Sequence, residues 1–130
     1  MRLSAFFTLF FTLFFVCSQL RAQIVDDPKR EFRGVWVATV VNIDWPSKAG
    51  LSSEEQQKEF IAILDQHQKS GINAIMLQIR PAADAFYGQS MEQWSRFLTG
   101  QQGKAPKPYY DPLSFAIREA HKRGMELHAW

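Results

Sequence analysis

The sequence predicts a parallel α/β fold, read as the opening portion of a (β/α)8 barrel with the order strand, helix, strand, helix, strand. Three observations predict it. Two runs, residues 32–41 (FRGVWVATVV) and 72–79 (INAIMLQI), are nearly continuously apolar, as strands covered on both faces in a parallel sheet are. Each candidate helix ends in a glycine that leads straight into a further apolar run, at Gly71 and again at Gly124. The third such run, residues 125–130 (MELHAW), has no helix after it, whereas a complete barrel takes roughly 250 residues. The chain therefore reads as one sector of a larger barrel.

The elements follow in order. Met1-Arg2 is a short basic start, and residues 3–16 form an apolar run holding six of the eleven phenylalanines. That run is shorter than the roughly 20 residues needed to span a bilayer. Ala22 is a small residue suited to a cleavage site, so residues 1–22 read as an export signal with a mature start at Gln23. An uncleaved anchor and a lipoprotein acylated on Cys17 are the alternatives, although Val16 is larger than the residue expected before such a cysteine. The expected location is the periplasm or cell envelope, with no membrane span left after cleavage. Residues 23–31 are polar, contain Pro28, and read as a linker ahead of a domain over 32–130.

After the first strand, residues 42–50 (NIDWPSKAG) form a loop. Ser52 and Ser53 can each cap a helix, with Glu55 and Gln56 three residues on, a capping-box pattern. Phe60, Ile61 and Leu64 give that helix an apolar stripe, and Ser70-Gly71 ends it. The second strand stops at Arg80-Pro81. A long excursion over 81–110 contains a candidate short helix at residues 91–98. Asp111-Pro112 then starts a helix, Asp as cap and Pro in the first turn, with Leu113, Ala116, Ile117 and Ala120 as its buried stripe.

Composition excludes several functions. Hydrophobic types make up 46% and charged types 22%, which argues against disorder. From Gln23 onward thirteen basic and thirteen acidic residues cancel, so bulk charge supports no nucleic-acid partner. Cys17 is the only cysteine, which removes disulfide and thiolate chemistry from the mature chain. His67, His121 and His128 show no tight metal-ligand spacing, and no Gly-rich phosphate loop or G-x-S-x-G elbow is present. Neither a metal nor another cofactor is expected.

Ligands of parallel α/β folds bind at the carboxyl ends of the strands. That rule selects Asn42, Asp44 and Trp45 after the first strand, Gln78, Arg80 and Asp84 after the second, and His128 and Trp130 on the third. Together they offer amides, carboxylates, a guanidinium, an imidazole and indoles. Sugars use this mixture, with polar groups for hydroxyls and indoles for apolar ring faces. Structural roles compete at each position: Asp44 can cap a turn, Arg80 can pair with Asp84, and Gln78 and His128 can be satisfied by the barrel interior. Trp36, in mid-strand, is expected in the core, and Trp130 can also be plain core.

The blocks EFRGVWVATVVNIDWPSKAGLSSEEQ, GINAIMLQIRPAADAFY, WSRFLTGQQGK and YYDPLSFAIREAHKRGMELHAW closely resemble the bacterial glycosyl-hydrolase-like ten family over residues 31–130. The resemblance implies a TIM-type barrel and an exported or lipoprotein glycoside hydrolase acting on peptidoglycan or a related glycan. It implies glycosidic hydrolysis by two carboxylates, and the Asp-rich strand-4 block typical of the family lies beyond Trp130. By position the eight residues above carry over as candidate pocket-lining groups, and the catalytic residues remain unassigned. The competing reading is a non-catalytic glycan-binding protein of the cell envelope.

Overall fold

A computed structural model describes residues 31–130. The export-signal expectation for residues 1–22, with its Cys17 alternative, and nearly all of the linker expectation lie outside the described residues. Three short strands, β1 (Gly34–Val37), β2 (Ala74–Leu77) and β3 (Glu126–Ala129), form one parallel sheet in the order β1-β2-β3. Between β1 and β2 runs α1 (Ser53–Lys69); between β2 and β3 come α2 (Arg96–Thr99) and α3 (Pro112–Lys122). The register is even: Trp36, Met76 and His128 share one level, and Val37, Leu77 and Ala129 the next.

β1 is shorter than its apolar run. Past Val37 the backbone donors turn away from the ladder: the Ala38 N–H goes to Asp44 Oδ2 (2.7 Å) and those of Thr39 and Val40 to Gln78 Oε1 (2.9 Å each). A single 3-10 turn follows at Val40–Asn42, with Val41 and Asn42 at positive φ (52° and 55°). A β-branched residue rarely adopts that conformation, so the β propensity of this segment is overridden by its side-chain acceptors.

α1 starts as its sequence dictates. Ser52 is the N-cap; it accepts the Glu55 N–H while the Glu55 carboxylate takes the Ser52 N–H. Ser53, the other candidate cap, instead donates its hydroxyl to the Pro108 carbonyl. Asp111 caps α3 by accepting the Ser114 N–H (2.8 Å) and also takes the Gly88 N–H (2.7 Å). The short helix expected over 91–98 is displaced to Arg96–Thr99, because Ala85 bridges to Trp94 through hydrogen bonds with the Gln93 carbonyl and the Ser95 N–H, and Ser95 supplies the cap.

The two helix-to-strand joints are structural repeats. Gly71 and Gly124 both sit at left-handed φ (76° and 69°). In each joint the next residue's N–H reaches back five positions, Ile72 to His67 and Met125 to Ala120, both at 3.0 Å, the Schellman pattern.

One face of the sheet is covered. Val37, Ile75 and Leu77 pack with Phe60 and Leu64 of α1, with Phe115, Ala116 and Ala120 of α3, and with Met125, Trp45, Phe86 and Leu98. Each fully buried Val, Ile, Leu, Phe or Met of this set contributes roughly 1.5–3 kcal/mol by leaving water. The opposite face, carrying Phe32, Trp36 and His128, is open. Trp36 was expected in the core and is 60% exposed. Strand alternation places it on the face opposite Val35 and Val37, away from the helices.

Candidate functional site

The carboxyl end of the sheet is built by three returning segments. After β1, the loop 39–45 closes on Ala38, whose carbonyl accepts the N–H groups of Asp44 (3.0 Å) and Trp45 (3.3 Å). Asp44 thus serves the turn while its side chain stays exposed. Asn42 spends both amide protons on carbonyls, those of Pro46 (2.9 Å) and Phe97 (2.8 Å), which ties this loop to α2.

Trp45 is fully buried, its ring 5.0 Å from that of Phe60 and 5.9 Å from that of Phe86. Its Nε1 donates to the Gln56 carbonyl (2.8 Å). It is therefore core and not a rim platform: the closed turn swings it onto α1. The two indoles nearest β1 have exchanged the places expected of them, Trp36 facing out and Trp45 facing in.

At the end of β2, Gln78 is only 6% exposed. Beyond the bonds that its Oε1 accepts, its carbonyl takes the Thr39 hydroxyl (3.0 Å). Arg80 pairs with Glu92 and not with the expected Asp84. Glu92 also accepts from the Ser90 hydroxyl (2.5 Å). That hydrogen bond first, then the Glu92 N–H and the Arg80 charge, hold the Glu92 carboxyl below its usual range. Asp84 is 1% exposed and accepts the Ala82 N–H (3.1 Å) across Ala83, which sits at positive φ (54°).

On β3, His128 Nε2 lies 3.0 Å from Glu126 Oε2, and its ring meets that of Phe32 edge-on at 5.7 Å. Trp130 donates Nε1 to the Met76 carbonyl (3.3 Å) and packs edge-to-face on Trp36 at 5.0 Å. With Phe32, this pair forms the exposed aromatic surface of the open face, Trp130 being 46% exposed.

The eight sequence-selected residues thus divide. Gln78 and Trp130 share one backbone level of the open face. His128 lies one level below. Asn42, Asp44, Arg80 and Asp84 pin the surrounding loops, and Trp45 belongs to the core. Among the described residues no hydrogen bond or ion pair joins Asn42, Arg80 and His128. Two partners escaped the sequence reading. Glu126 was legible as the i, i+2 neighbour of His128 on a strand, whereas Glu92 lies inside a long irregular loop and gave no local signal. An open cleft of about 380 Å³, lined by His121, Gly124 and residues 125–128, lies at the opposite, amino end of β3. Among the described residues no group of three or more His, Cys, Asp or Glu could hold a metal ion.

Comparison with known proteins finds relatives of this sequence over the described residues. The family model described as glycosyl hydrolase-like 10 matches residues 31–130. Over 101 residues, 78% of this chain, the sequence is 58% identical to a protein named glycosyl hydrolase YngK of Bacillus subtilis (strain 168), covering 19% of that relative. Over 105 residues, 75% of this chain, it is 40% identical to a protein named glycosyl hydrolase DigH of Escherichia coli (strain K12), covering 24% of it. The chain spans about a fifth to a quarter of the length of these relatives. With the match covering the whole sheet, all three capped helices and every loop at the carboxyl end, the chain belongs to the glycosyl hydrolase-like 10 family.

Proposed function

We propose that this chain is the amino-terminal part of an exported glycoside hydrolase acting on peptidoglycan or a related cell-wall glycan, its three strands opening a (β/α)8 barrel. The observation that carries the reading is the family match over residues 31–130. It falls on a parallel sheet whose uncovered face ends in the Trp36–Trp130 pair, an apolar surface of the kind that packs on sugar rings. Export rests on the signal pattern of residues 1–22 and predicts a mature start at Gln23, read by amino-terminal sequencing of the secreted protein; attachment through Cys17 is the alternative.

The chain by itself is proposed not to turn glycan over. Glycosidic hydrolysis needs a carboxylic acid and a second carboxylate flanking the bond. Asp44, Asp84 and Glu92 each commit an oxygen to the chain's own N–H groups or to Arg80. That commitment also favours the second reading, a non-catalytic glycan-binding protein. Incubation with peptidoglycan sacculi separates the cases. Retention with release of soluble fragments by the longer protein supports the hydrolase, retention without release supports the binder, and absence of both retention and release overturns both readings.

A further inference from the structure

Gln78 has one half of its amide engaged and the other half unused. Oε1 accepts two backbone N–H groups, from Thr39 and Val40, at 2.9 Å each. Only an oxygen can do that, so the amide orientation is set by the chain. Nε2 makes no hydrogen bond within the described residues. No side-chain nitrogen or oxygen that is sealed from solvent there lacks a partner, so Nε2 lies within the 6% of Gln78 that solvent reaches. A buried amide ordinarily satisfies both ends.

Register gives this donor a neighbour. Gln78 follows Met76 by two positions and Trp130 follows His128 by two, and Met76 and His128 are partners in the ladder. Gln78 and Trp130 therefore stand side by side on the open face. The strands remain joined there, Trp130 N–H to the Leu77 carbonyl (3.0 Å) and Ile79 N–H to the Trp130 carbonyl (2.7 Å).

We propose that Gln78 is a saccharide-binding residue whose Nε2 donates to an acceptor oxygen of a sugar, a hydroxyl or an N-acetyl carbonyl, while the sugar ring packs on Trp130. This inference rests on the glycan reading above and names a contact within it. The thermodynamic logic is preorganisation: the two N–H groups of the β1 loop hold the amide in place before the ligand arrives.

The test uses the 130-residue chain, with short oligomers of N-acetylglucosamine as the probe and peptidoglycan sacculi as the retention matrix. Titration in ¹⁵N–¹H spectra is expected to shift the Gln78 side-chain NH2 signals. Gln78→Glu keeps an acceptor for Thr39 and Val40 but removes the donor, and is expected to weaken binding about tenfold near neutral pH. Lowering the pH protonates the new carboxyl, restores an O–H donor and is expected to restore binding, a recovery that a purely structural role does not produce. Unmoved Gln78 NH2 signals in a chain that sacculi still retain overturn the proposal and leave the glycan reading standing. Absence of both retention and shifts overturns the two together. Wild-type binding by Gln78→Glu overturns the proposal alone, and the wild-type titration decides the matter if that variant fails to fold.

Discussion

Asp44 and Ala38 hold each other by two hydrogen bonds: Asp44 Oδ2 accepts the Ala38 N–H at 2.7 Å, and the Ala38 carbonyl accepts the Asp44 N–H at 3.0 Å. This reciprocal clasp ends β1 and starts the turn that sends Trp45 into the core. Asp44→Ala is expected to cost about 1 kcal/mol, the usual net value of a single hydrogen bond, read by urea unfolding. Asp44→Asn keeps an acceptor and is expected to cost less. An Asn variant that is stable but no longer retained on sacculi would assign Asp44 to the ligand.

The two indoles near β1 are expected to respond oppositely to truncation. Trp45→Ala opens a cavity among Phe60 and Phe86 and is expected to cost about 3–5 kcal/mol, enough to abolish a cooperative melt in a domain of marginal stability. Trp36→Ala removes an exposed ring whose main partner is Trp130 and is expected to cost about 0.5–1.5 kcal/mol. Circular dichroism melts compare them directly, and equal losses would show that the open face is as well packed as the helix-covered one.

Arg123 clamps α3 to α1. Its Nε donates to Asp65 Oδ1 (2.6 Å), and its Nη1 to Glu119 Oε2 (3.0 Å) and to the Glu119 carbonyl (2.8 Å). A single ammonium cannot reproduce that fork. Arg123→Lys is expected to lose about 1–3 kcal/mol, and a double-mutant cycle with Asp65→Asn is expected to show coupling between the helices.

Stability is expected to fall at both ends of the pH range. The Glu55 carboxyl is held below its usual range by the Ser52 hydroxyl and N–H, and that of Glu119 by Lys122 and Arg123. A depressed folded pKa gives stability that is present above the unfolded value, near 4.5, and is lost as pH drops through the folded value. Glu55→Gln is expected to flatten this acid limb. Burial, with the Asp111 charge adding, pushes the Tyr110 phenol above its usual 10, and its hydroxyl donates to Gln56 Oε1 (2.6 Å). That contribution is intact below pH 10 and is lost as pH rises further, because the unfolded tyrosine ionises first. Thermal melts across pH, with Tyr110→Phe removing the alkaline loss, check both limbs.

Arg80 is paired with Glu92 but half exposed, so Arg80→Ala is expected to change stability by no more than about 1 kcal/mol. Its expected effect is on glycan: weaker retention of the chain on sacculi and slower turnover by the longer protein. Unchanged glycan behaviour with a large drop in melting temperature would leave Arg80 as a loop fastener only.

The sequence by itself determined the parallel strand–helix rhythm, the caps of α1 and α3 and both glycine joints. These are local devices: Ser52 with Glu55, Asp111 before Pro112, and a left-handed glycine after each helix act within a few residues of themselves. Only the tertiary structure decided which indole is core, where β1 stops, and which acid meets Arg80. Each of those outcomes depends on a partner distant in sequence: Gln56 for Trp45, Gln78 for the Thr39 and Val40 amides, Glu92 for Arg80. Spacing along the chain carries no record of a hydrogen bond closed through space, and so the loop contacts of Asn42, Asp44 and Arg80 are visible only in the folded chain.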